Sequence, residues 1–306
     1  MFFIGFDIGG TKCAISLGKW ENGIMEIIER HEFPTENCPI GIFDKFSPFV
    51  EKWTSEYGVK YAGVSCGGPL NSESGVIISP PNLAKGWYGF EVTEYISSRF
   101  GLVAKLENDA NASAVAEWRF GAGRGVKNLV FMTFGTGLGA GLILNGKLYS
   151  GTNGNAGEIG HIRLDETGPV GYNKQGSAEG FCSGGGIARL AQIRAKEQGV
   201  ELDGNVTTKL IFEKAKQGEP FYSSIVRESA EKFAKLVSLL IDIFNPEVIV
   251  AGGVFMRNYD LFMSIMTPII QSESLTDSYE ACRILPAEIG ENIGDYAALA
   301  IAIPED

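Results

Sequence analysis

Three glycine-rich turns are the segments of this sequence best suited to binding a nucleotide. A carboxylate in the first turn can hold hydrated magnesium, and backbone N–H groups that no Cβ shields can approach phosphate oxygens. The second turn could bind phosphate in the same way, and the third would let an adenosine lie against the backbone. Each turn alone more often only reverses the chain, but three together favour a nucleotide site. The residues concerned are Asp7, Gly9, Gly10, Thr11 and Lys12 in the first turn, Gly135, Thr136 and Gly137 in the second, and Gly252 and Gly253 in the third.

An acidic segment, Glu107-Asn108-Asp109, lies where a predicted strand ends and a predicted helix begins. Ligands of open α/β sheets bind beyond the carboxyl ends of the strands, so these side chains are candidates for an active site. Asn and Asp are also preferred helix N-caps, and capping is the commoner role for such a segment alone. His161, in a glycine-rich loop, is one of only two histidines. A loop histidine is usually solvated or structural, and we interpret His31 in that way.

Two segments imitate nucleotide-binding motifs and are rejected. Residues 135–140 fit the pattern Gly-x-Gly-x-x-Ala, which must open a helix, but residues 141–144 continue as an apolar strand. Residues 141–147 imitate a P-loop, but Leu148 replaces the Ser or Thr that would bind magnesium.

Strand-like and helix-like segments alternate along the chain, which predicts an α/β architecture. The hairpin around residues 4–11 resembles the hairpin around residues 131–137, since each has an apolar strand, a Gly/Thr turn and a second apolar strand. Two unrelated hairpins could also look alike, but the similarity suggests a duplicated fold whose two domains present their turns to a shared cleft. Strands are predicted at 2–7, 13–17, 61–66, 103–106, 129–133, 140–144 and 247–251, and helices at 110–118, 223–244 and 295–303.

Composition excludes several classes of function. The chain has 306 residues, 44% of them hydrophobic and 21% charged, so disorder is not expected. The net charge of -11 argues against nucleic acid and against anionic membranes as partners. There is no apolar run long enough for a membrane span and no signal-peptide pattern. The five cysteines are scattered, as is typical of reduced thiols, and we expect a cytoplasmic protein.

Six landmarks, in order and spacing, resemble the ROK (repressor, open reading frame, kinase) family of sugar kinases and regulators over nearly the whole chain. The resemblance implies a two-domain α/β fold that is actin-like, hexokinase-like and ribonuclease H-like, with a central cleft. It implies an N-terminal domain of residues 1–117 plus 289–306 and a C-terminal domain of residues 118–288. The landmarks are residues 7–12, Pro81-Asn82-Leu83 with Gly86-Trp87, and residues 107–111, 135–139, 157–161 and 251–253.

The same resemblance implies an enzyme that uses ATP and Mg²⁺ to phosphorylate a hexose. Asp109 would accept the proton of the sugar hydroxyl, and Asp7 would hold magnesium indirectly. Glucose is the first expectation, with N-acetylmannosamine, fructose and allose as alternatives; a non-catalytic sugar sensor is the alternative of a different class. The family's repressors carry an N-terminal DNA-binding domain, whereas this chain starts at the first kinase strand, which favours the kinase. A homodimer is also expected. The sugar ligands implied are Gly68, Asn82, Asn108, Asp109, Glu158, His161 and Glu179.

One segment departs from the family pattern. Most members place three cysteines after the histidine, and these four side chains hold a structural zinc. The three cysteine positions here are Val170, Tyr172 and Ser177, although Glu179 is retained. Valine cannot bind a metal, and neutral hydroxyls are poor zinc ligands, so we expect no zinc site.

Overall fold

The computed structural model describes residues 1–202 and 204–304, which form two compact units. The first unit contains Met1–Gly125, Leu148–Ala156 and the chain from Glu288 onward, and the second contains Val126–Lys147 and Gly157–Ala287. The strands are β1 (Phe2–Ile8), β2 (Lys12–Glu21), β3 (Ile24–Pro34), β4 (Tyr61–Cys66), β5 (Leu70–Asn71), β6 (Val76–Ile77), β7 (Phe90–Glu91), β8 (Val103–Asn108), β9 (Leu129–Phe134), β10 (Leu138–Leu144), β11 (Lys147–Leu148), β12 (Val170–Gly171), β13 (Lys174–Gln175), β14 (Val248–Ala251) and β15 (Arg283–Pro286). The helices are α1 (Pro39–Tyr57), α2 (Val92–Phe100), α3 (Asp109–Phe120), α4 (Ala178–Cys182), α5 (Gly184–Gln198), α6 (Thr208–Lys216), α7 (Pro220–Phe244), α8 (Gly253–Arg257), α9 (Tyr259–Glu273), α10 (Thr276–Ala281) and α11 (Ile293–Ala302).

A mixed five-stranded sheet in the order β3-β2-β1-β4-β8 forms the centre of the first unit. β1 pairs antiparallel with β2, and β2 with β3, whereas β4 is parallel to β1 and β8 is parallel to β4. The helix α1 covers the sheet because its apolar side chains fall on one face at helical spacing, including Phe43, Phe46 and Trp53, which are fully buried. The parallel arrangement brings the carboxyl ends of β1, β4 and β8 to one edge of the sheet.

Small residues let α11 pack closely on this sheet. A Cβ on Gly63 of β4 would lie 2.0 Å from the backbone oxygen of Ala298, and a Cβ on Gly5 of β1 would lie 3.0 Å from the Ala298 Cβ. Larger side chains at these positions would push the helix away from the strands. The first turn of α11 consequently lies beside the end of β1, where Gly294 contacts the carboxylate of Asp7.

The second unit repeats this topology. Its sheet has the order β11-β10-β9-β14-β15, in which β9 and β10 are antiparallel and β14 and β15 run parallel to β9. The antiparallel hairpin followed by two parallel strands matches the hairpin similarity seen in the sequence, so the predicted duplication is confirmed at the level of sheet topology. The helix α7 packs against α9, α6 and α4, and its buried side chains include Phe233, Leu236, Val237 and Leu240.

Most predicted elements are present with bounds extended by a few residues. The helix predicted at 110–118 spans Asp109–Phe120, and the one predicted at 223–244 begins earlier, at Pro220, because proline is favoured in the first helical turn. The segment after residue 135 continues as β10, which confirms that it is not a dinucleotide-binding turn. Within residues 1–202 and 204–304, no helix combines the length and apolar character needed to cross a membrane.

Candidate active site

The turn between β1 and β2 is closed by backbone contacts. Gly9 N donates a hydrogen bond to Lys12 O at 3.0 Å, and the Thr35 hydroxyl donates to Gly9 O at 2.6 Å. A Cβ on Gly9 would lie 2.7 Å from Lys12 O, and one on Gly10 would lie 2.6 Å from Asn82 O. Both glycines are therefore required by the packing of the chain, and Gly10 joins the turn to the segment that carries Asn82.

Thr11 and Lys12 are exposed in this turn. Lys12 Nζ forms an ion pair with Glu32 at 2.6 Å, and the Lys12 side chain is 64% exposed. An exposed pair of this kind contributes little to stability, so an incoming phosphate could compete with Glu32 for the ammonium group.

Asp7, at the end of β1, lies in a strongly negative environment. Burial raises the pKa of its carboxyl to about 7, and the negative charges of Asp295 and Asp109 raise it further, against the opposing effect of Arg30. A Cβ on Gly294 would lie 2.4 Å from Asp7 Oδ2, so only glycine fits beside this carboxylate. A bound cation would stabilise the ionised form of Asp7.

The ends of β4 and β8 bring three polar side chains together around Gly67 and Gly68. An ideal Cβ on Gly67 would lie 3.5 Å from Asn82 Nδ2 and 3.8 Å from Asp109 Oδ2, and one on Gly68 would lie 3.4 Å from Asn108 Nδ2. The amides of Asn82 and Asn108 and the carboxylate of Asp109 thus surround the same dipeptide. The first unit therefore places the sequence-predicted residues Gly68, Asn82, Asn108 and Asp109 in one cluster.

Capping and ligand binding are compatible at the start of α3. Asn108 is the N-cap, and its Oδ1 accepts from Ala110 N at 3.0 Å. Asp109 Oδ1 also accepts from Ala110 N, at 2.8 Å. In each residue the other polar atom of the side chain, Nδ2 or Oδ2, lies towards Gly67-Gly68. The two interpretations left open by the sequence therefore apply to different atoms of the same side chains.

Glu107 supports this junction, a role that the sequence analysis did not assign to it. Its Oε1 accepts hydrogen bonds from Asn108 N at 2.9 Å, Asn111 Nδ2 at 3.0 Å and Ser72 Oγ at 3.1 Å. The side chain is buried at the junction of β8 and α3. The spacing of four residues between Glu107 and Asn111 is a helical spacing, which was the available signal.

In the second unit, the turn between β9 and β10 contacts two other segments. Gly184 N, at the start of α5, donates to Gly135 O at 2.7 Å, and Leu138 N donates to Glu179 Oε2 at 3.2 Å. A Cβ on Gly137 would lie 2.7 Å from the same Glu179 oxygen. The carboxylate of Glu179 therefore contacts the predicted phosphate turn directly, which sequence spacing did not reveal.

The loop that carries Glu158 and His161 is pressed against β10 by two glycines. Gly157 has φ of 88°, and a Cβ there would lie 2.2 Å from Ala140 O, while a Cβ on Gly160 would lie 2.3 Å from Leu138 O. Glycine at both positions is therefore a packing requirement, and it holds Glu158 and His161 at the exposed side of a short 3₁₀ turn.

Gly252 and Gly253 follow β14, as predicted, but they differ in what the chain requires of them. Gly253 has φ of 58°, and a Cβ there would lie 2.1 Å from Phe134 O. A Cβ on Gly252 would make only ordinary contacts, the nearest at 3.7 Å to the Phe131 ring. Packing thus accounts for Gly253 and leaves Gly252 without a structural requirement of this kind.

Gly135 stands apart from the other glycines of the predicted nucleotide turns. A Cβ there would have no neighbour within 4 Å, and its φ lies outside the region that favours glycine. Neither packing nor backbone conformation explains a glycine at this position.

The four positions expected to bind zinc in relatives are joined here by other contacts. Ser177 is buried and donates from Oγ to Gly171 O at 2.9 Å, and the Tyr172 ring meets the His161 ring edge-on at 5.9 Å. Among the described residues, no group of three His, Cys, Asp or Glu side chains is arranged to hold a metal ion.

Two α/β units that repeat one sheet topology, with a glycine-rich hairpin turn in each, define a hexokinase-like fold. The solved ROK hexokinase of Thermus thermophilus matches 99% of this chain and 98% of its own with a TM-score of 0.85 and 27% identity. A ROK family glucokinase of Streptomyces griseus, solved in complex with glucose and AMPPNP, has a TM-score of 0.77 and 29% identity and covers 99% of both chains.

The sequence comparisons identify the family. The ROK family model matches residues 3–305, and the chain belongs to the ROK family. A glucokinase of Streptomyces coelicolor is 34% identical over 88% of this chain and 86% of its own length. A xylose repressor of Caldicellulosiruptor bescii is 28% identical over 86% of this chain and 68% of its own. An N-acetylmannosamine kinase of Haemophilus influenzae Rd is 27% identical over 95% and 92%. The chain is therefore a glucokinase-like member of a family that also contains repressors.

Proposed function

We propose that this protein is an ATP-dependent hexose kinase that transfers the γ-phosphoryl group of ATP to glucose, giving glucose 6-phosphate. The observation that carries the proposal is the cluster of Asn82, Asn108 and Asp109 side chains around Gly67-Gly68, where two parallel strands end. A sugar hydroxyl bound there would meet amide groups suited to orient it and a carboxylate suited to accept its proton.

Asp109 is the proposed base. Phosphoryl transfer depends mainly on alignment and on stabilisation of charge, so the chain has to hold the hydroxyl and accept its proton. Hydrogen bonds from Ala110 N to the side chains of Asn108 and Asp109 fix both residues, and Glu107 fixes the backbone between strand and helix. This arrangement limits the movement of the carboxylate during the reaction.

Glu158, His161 and Glu179 are proposed to bind other sugar hydroxyls. Polar groups that pair with hydroxyls give strong selection, because a sugar that lacks one leaves a buried group without a partner. The preference for glucose is supported by the similarity to glucokinases, one of which was solved with glucose and AMPPNP.

Magnesium and ATP complete the proposal. Magnesium is usually held by one or two carboxylates together with substrate phosphates and water, and Asp7, an oxygen donor in a negative environment, fits that role. Magnesium would neutralise phosphate charge. The turns at 9–12 and 135–137 are proposed to hold the phosphates, and Gly252-Gly253 to lie beside the adenosine.

The direct test is sugar-dependent ADP formation by the purified protein with Mg-ATP and a panel of hexoses. We expect the highest kcat/KM for glucose and a phosphate on C6 in the product, identified by NMR. A higher kcat/KM for N-acetylmannosamine, fructose or allose would replace glucose as the substrate. Sugar binding without ADP formation would instead indicate a sensor. Light scattering on the same sample tests the expected homodimer.

Asp109→Asn tests the proposed base. It should lower kcat by ~10²–10⁴-fold, the usual contribution of general-base catalysis, while the sugar still binds. Asp260→Asn is the matched control, since Asp260 is an exposed carboxylate in the first turn of another helix, α9. An Asp109→Asn protein that retains more than about a tenth of wild-type kcat, with chemistry rate-limiting, would exclude Asp109 as the base.

A further inference from the structure

Lys174 contacts His161 in a way that the proposed reaction does not by itself require. Its Nζ lies 3.1 Å from His161 Nδ1 and donates to the backbone oxygen of His161 at 2.7 Å. One ammonium group therefore holds both the ring and the backbone of the same residue.

The chemistry of this contact determines which ring nitrogen carries hydrogen. An ammonium group has donors only, whereas a neutral imidazole has one donor and one acceptor nitrogen. Nδ1 must then accept from Lys174, and the hydrogen of the neutral ring must lie on Nε2. His161 is consequently presented as an Nε2–H donor. The partner of one ring nitrogen sets the state of the other, as in many histidine sites.

The hairpin that carries Lys174 is built to hold this position. β12 and β13 are joined by Tyr172 and Asn173, whose φ angles are 52° and 54°, as a two-residue hairpin turn with both residues left-handed requires. Positive φ is rare for a bulky residue such as tyrosine. Tyr172 N donates to Glu179 Oε1 at 3.3 Å, and the Tyr172 ring packs edge-on against His161. Both sides of the turn therefore connect to proposed sugar ligands.

We propose that Lys174 is a positioning residue that fixes His161 as a hydrogen-bond donor to an oxygen atom of a sugar hydroxyl. The inference rests on the proposed function in one respect, namely that His161 contacts the sugar. Lys174 does not touch the substrate and acts through the imidazole. It supplies, from this chain alone, a cationic partner for one ring nitrogen, beside the positions where Val170, Tyr172 and Ser177 replace the cysteines expected from the family resemblance.

The ring state can be measured directly, because the sequence has only two histidines. Long-range ¹H–¹⁵N correlation spectra at about pH 8.5, where an ordinary histidine is neutral, would report the hydrogen on each ring nitrogen, and a His31→Gln variant would assign the signals. We expect an Nε2–H ring for His161 in the wild type and a mixture of tautomers in Lys174→Met. A wild-type ring with hydrogen on Nδ1, or a ring state unchanged by Lys174→Met, would overturn the proposal.

Sugar affinity provides the functional readout. Lys174→Met should raise the Kd and KM for the sugar by ~3- to 10-fold, the range expected for one weakened hydrogen bond, with kcat and the KM for ATP little changed. Lys235→Met, an exposed lysine on α7, is the control for loss of a charge, and circular dichroism verifies the fold. An unchanged Kd in Lys174→Met would overturn the positioning role. If the wild-type protein binds sugar but forms no ADP, the kinase proposal fails, while the Kd comparison and the spectra still decide the role of Lys174.

Discussion

Replacing Gly135 by alanine should distinguish a glycine needed for ligand access from glycines needed for folding. A Cβ at this position meets no atom of the chain within 4 Å, and the backbone is not in the left-handed region. The free energy of unfolding should therefore remain within ~1 kcal/mol of wild type, and it should increase if anything, because alanine lowers the entropy of the unfolded chain by the equivalent of ~0.4–1 kcal/mol.

The same methyl group should impair the use of ATP. If the turn at residues 135–137 approaches a phosphate, the added carbon occupies space that the ligand needs, and overpacking of one carbon costs ~1–3 kcal/mol. That range corresponds to a ~5- to 150-fold increase in the KM for ATP. The KM for the sugar should change by no more than about twofold, as for a substitution of ~0.5 kcal/mol.

Gly253→Ala is the control in which the chain itself should fail. Its φ of 58° and a Cβ only 2.1 Å from Phe134 O require the backbone to move, and the left-handed conformation alone costs ~1–2 kcal/mol for a residue with a side chain. Thermal unfolding and steady-state kinetics on both variants complete the test. A Gly135→Ala protein with a Tm as low as that of Gly253→Ala, or with a wild-type KM for ATP, would refute the reasoning.

Three further predictions follow from other contacts. Glu107→Ala should lower the free energy of unfolding by at least ~1–3 kcal/mol, because three donors lose their acceptor; denaturant unfolding measures this, and an unchanged midpoint would contradict it. Hydrogen bonds from His31, Trp53 and Lys52 lower the pKa of Glu29 to about 2, so its contribution to stability is present above the unfolded-state pKa of about 4.3 and is lost as the pH falls from there towards 2. Glu29→Gln should therefore flatten the fall of Tm over that pH range, and parallel pH profiles for the two proteins would exclude this role. Metal analysis of purified protein should find no stoichiometric zinc, whereas one zinc per chain, lost with activity on chelation, would show that other ligands hold it.

The sequence predicted those parts of the fold and site that depend on local order along the chain. The β9–β10 hairpin, the helix that starts at Asp109 and the end of α7 at Asn245 all follow from apolar periodicity and from the conformational preferences of Gly, Asn and Pro. The cluster of Asn108, Asp109 and Gly68 was accessible for the same reason, since carboxyl ends of parallel strands lie at one edge of a sheet.

The remaining contacts could not be predicted because they join distant segments through side-chain conformation. Glu179 reaches Leu138 N across 41 residues, and Gly294 lies against Asp7 only because α11 returns to the first sheet. The sequence also presents every glycine as equivalent. Only the surrounding atoms distinguish Gly253, which the fold requires, from Gly135, which it does not.

The repeated topology explains why the two sheets can serve different substrates under the proposed function. The strand parallel to the hairpin ends in a Gly-Gly pair in both units, since β4 leads into Gly67-Gly68 and β14 into Gly252-Gly253. Sequence similarity alone revealed the hairpins but not this second correspondence.

The next strand marks the difference between the two copies. β8 leads from Asn108 into Asp109 at the start of a helix, whereas its counterpart β15 ends at Pro286 and is followed by Ala287. The amide and carboxylate that could orient a hydroxyl and accept its proton are therefore present at this position in the first unit, and the corresponding position of the second unit carries apolar residues. Because an adenosine lying on a Gly-Gly backbone needs no base, this asymmetry supports assigning the chemistry to the first copy and nucleotide binding to the second.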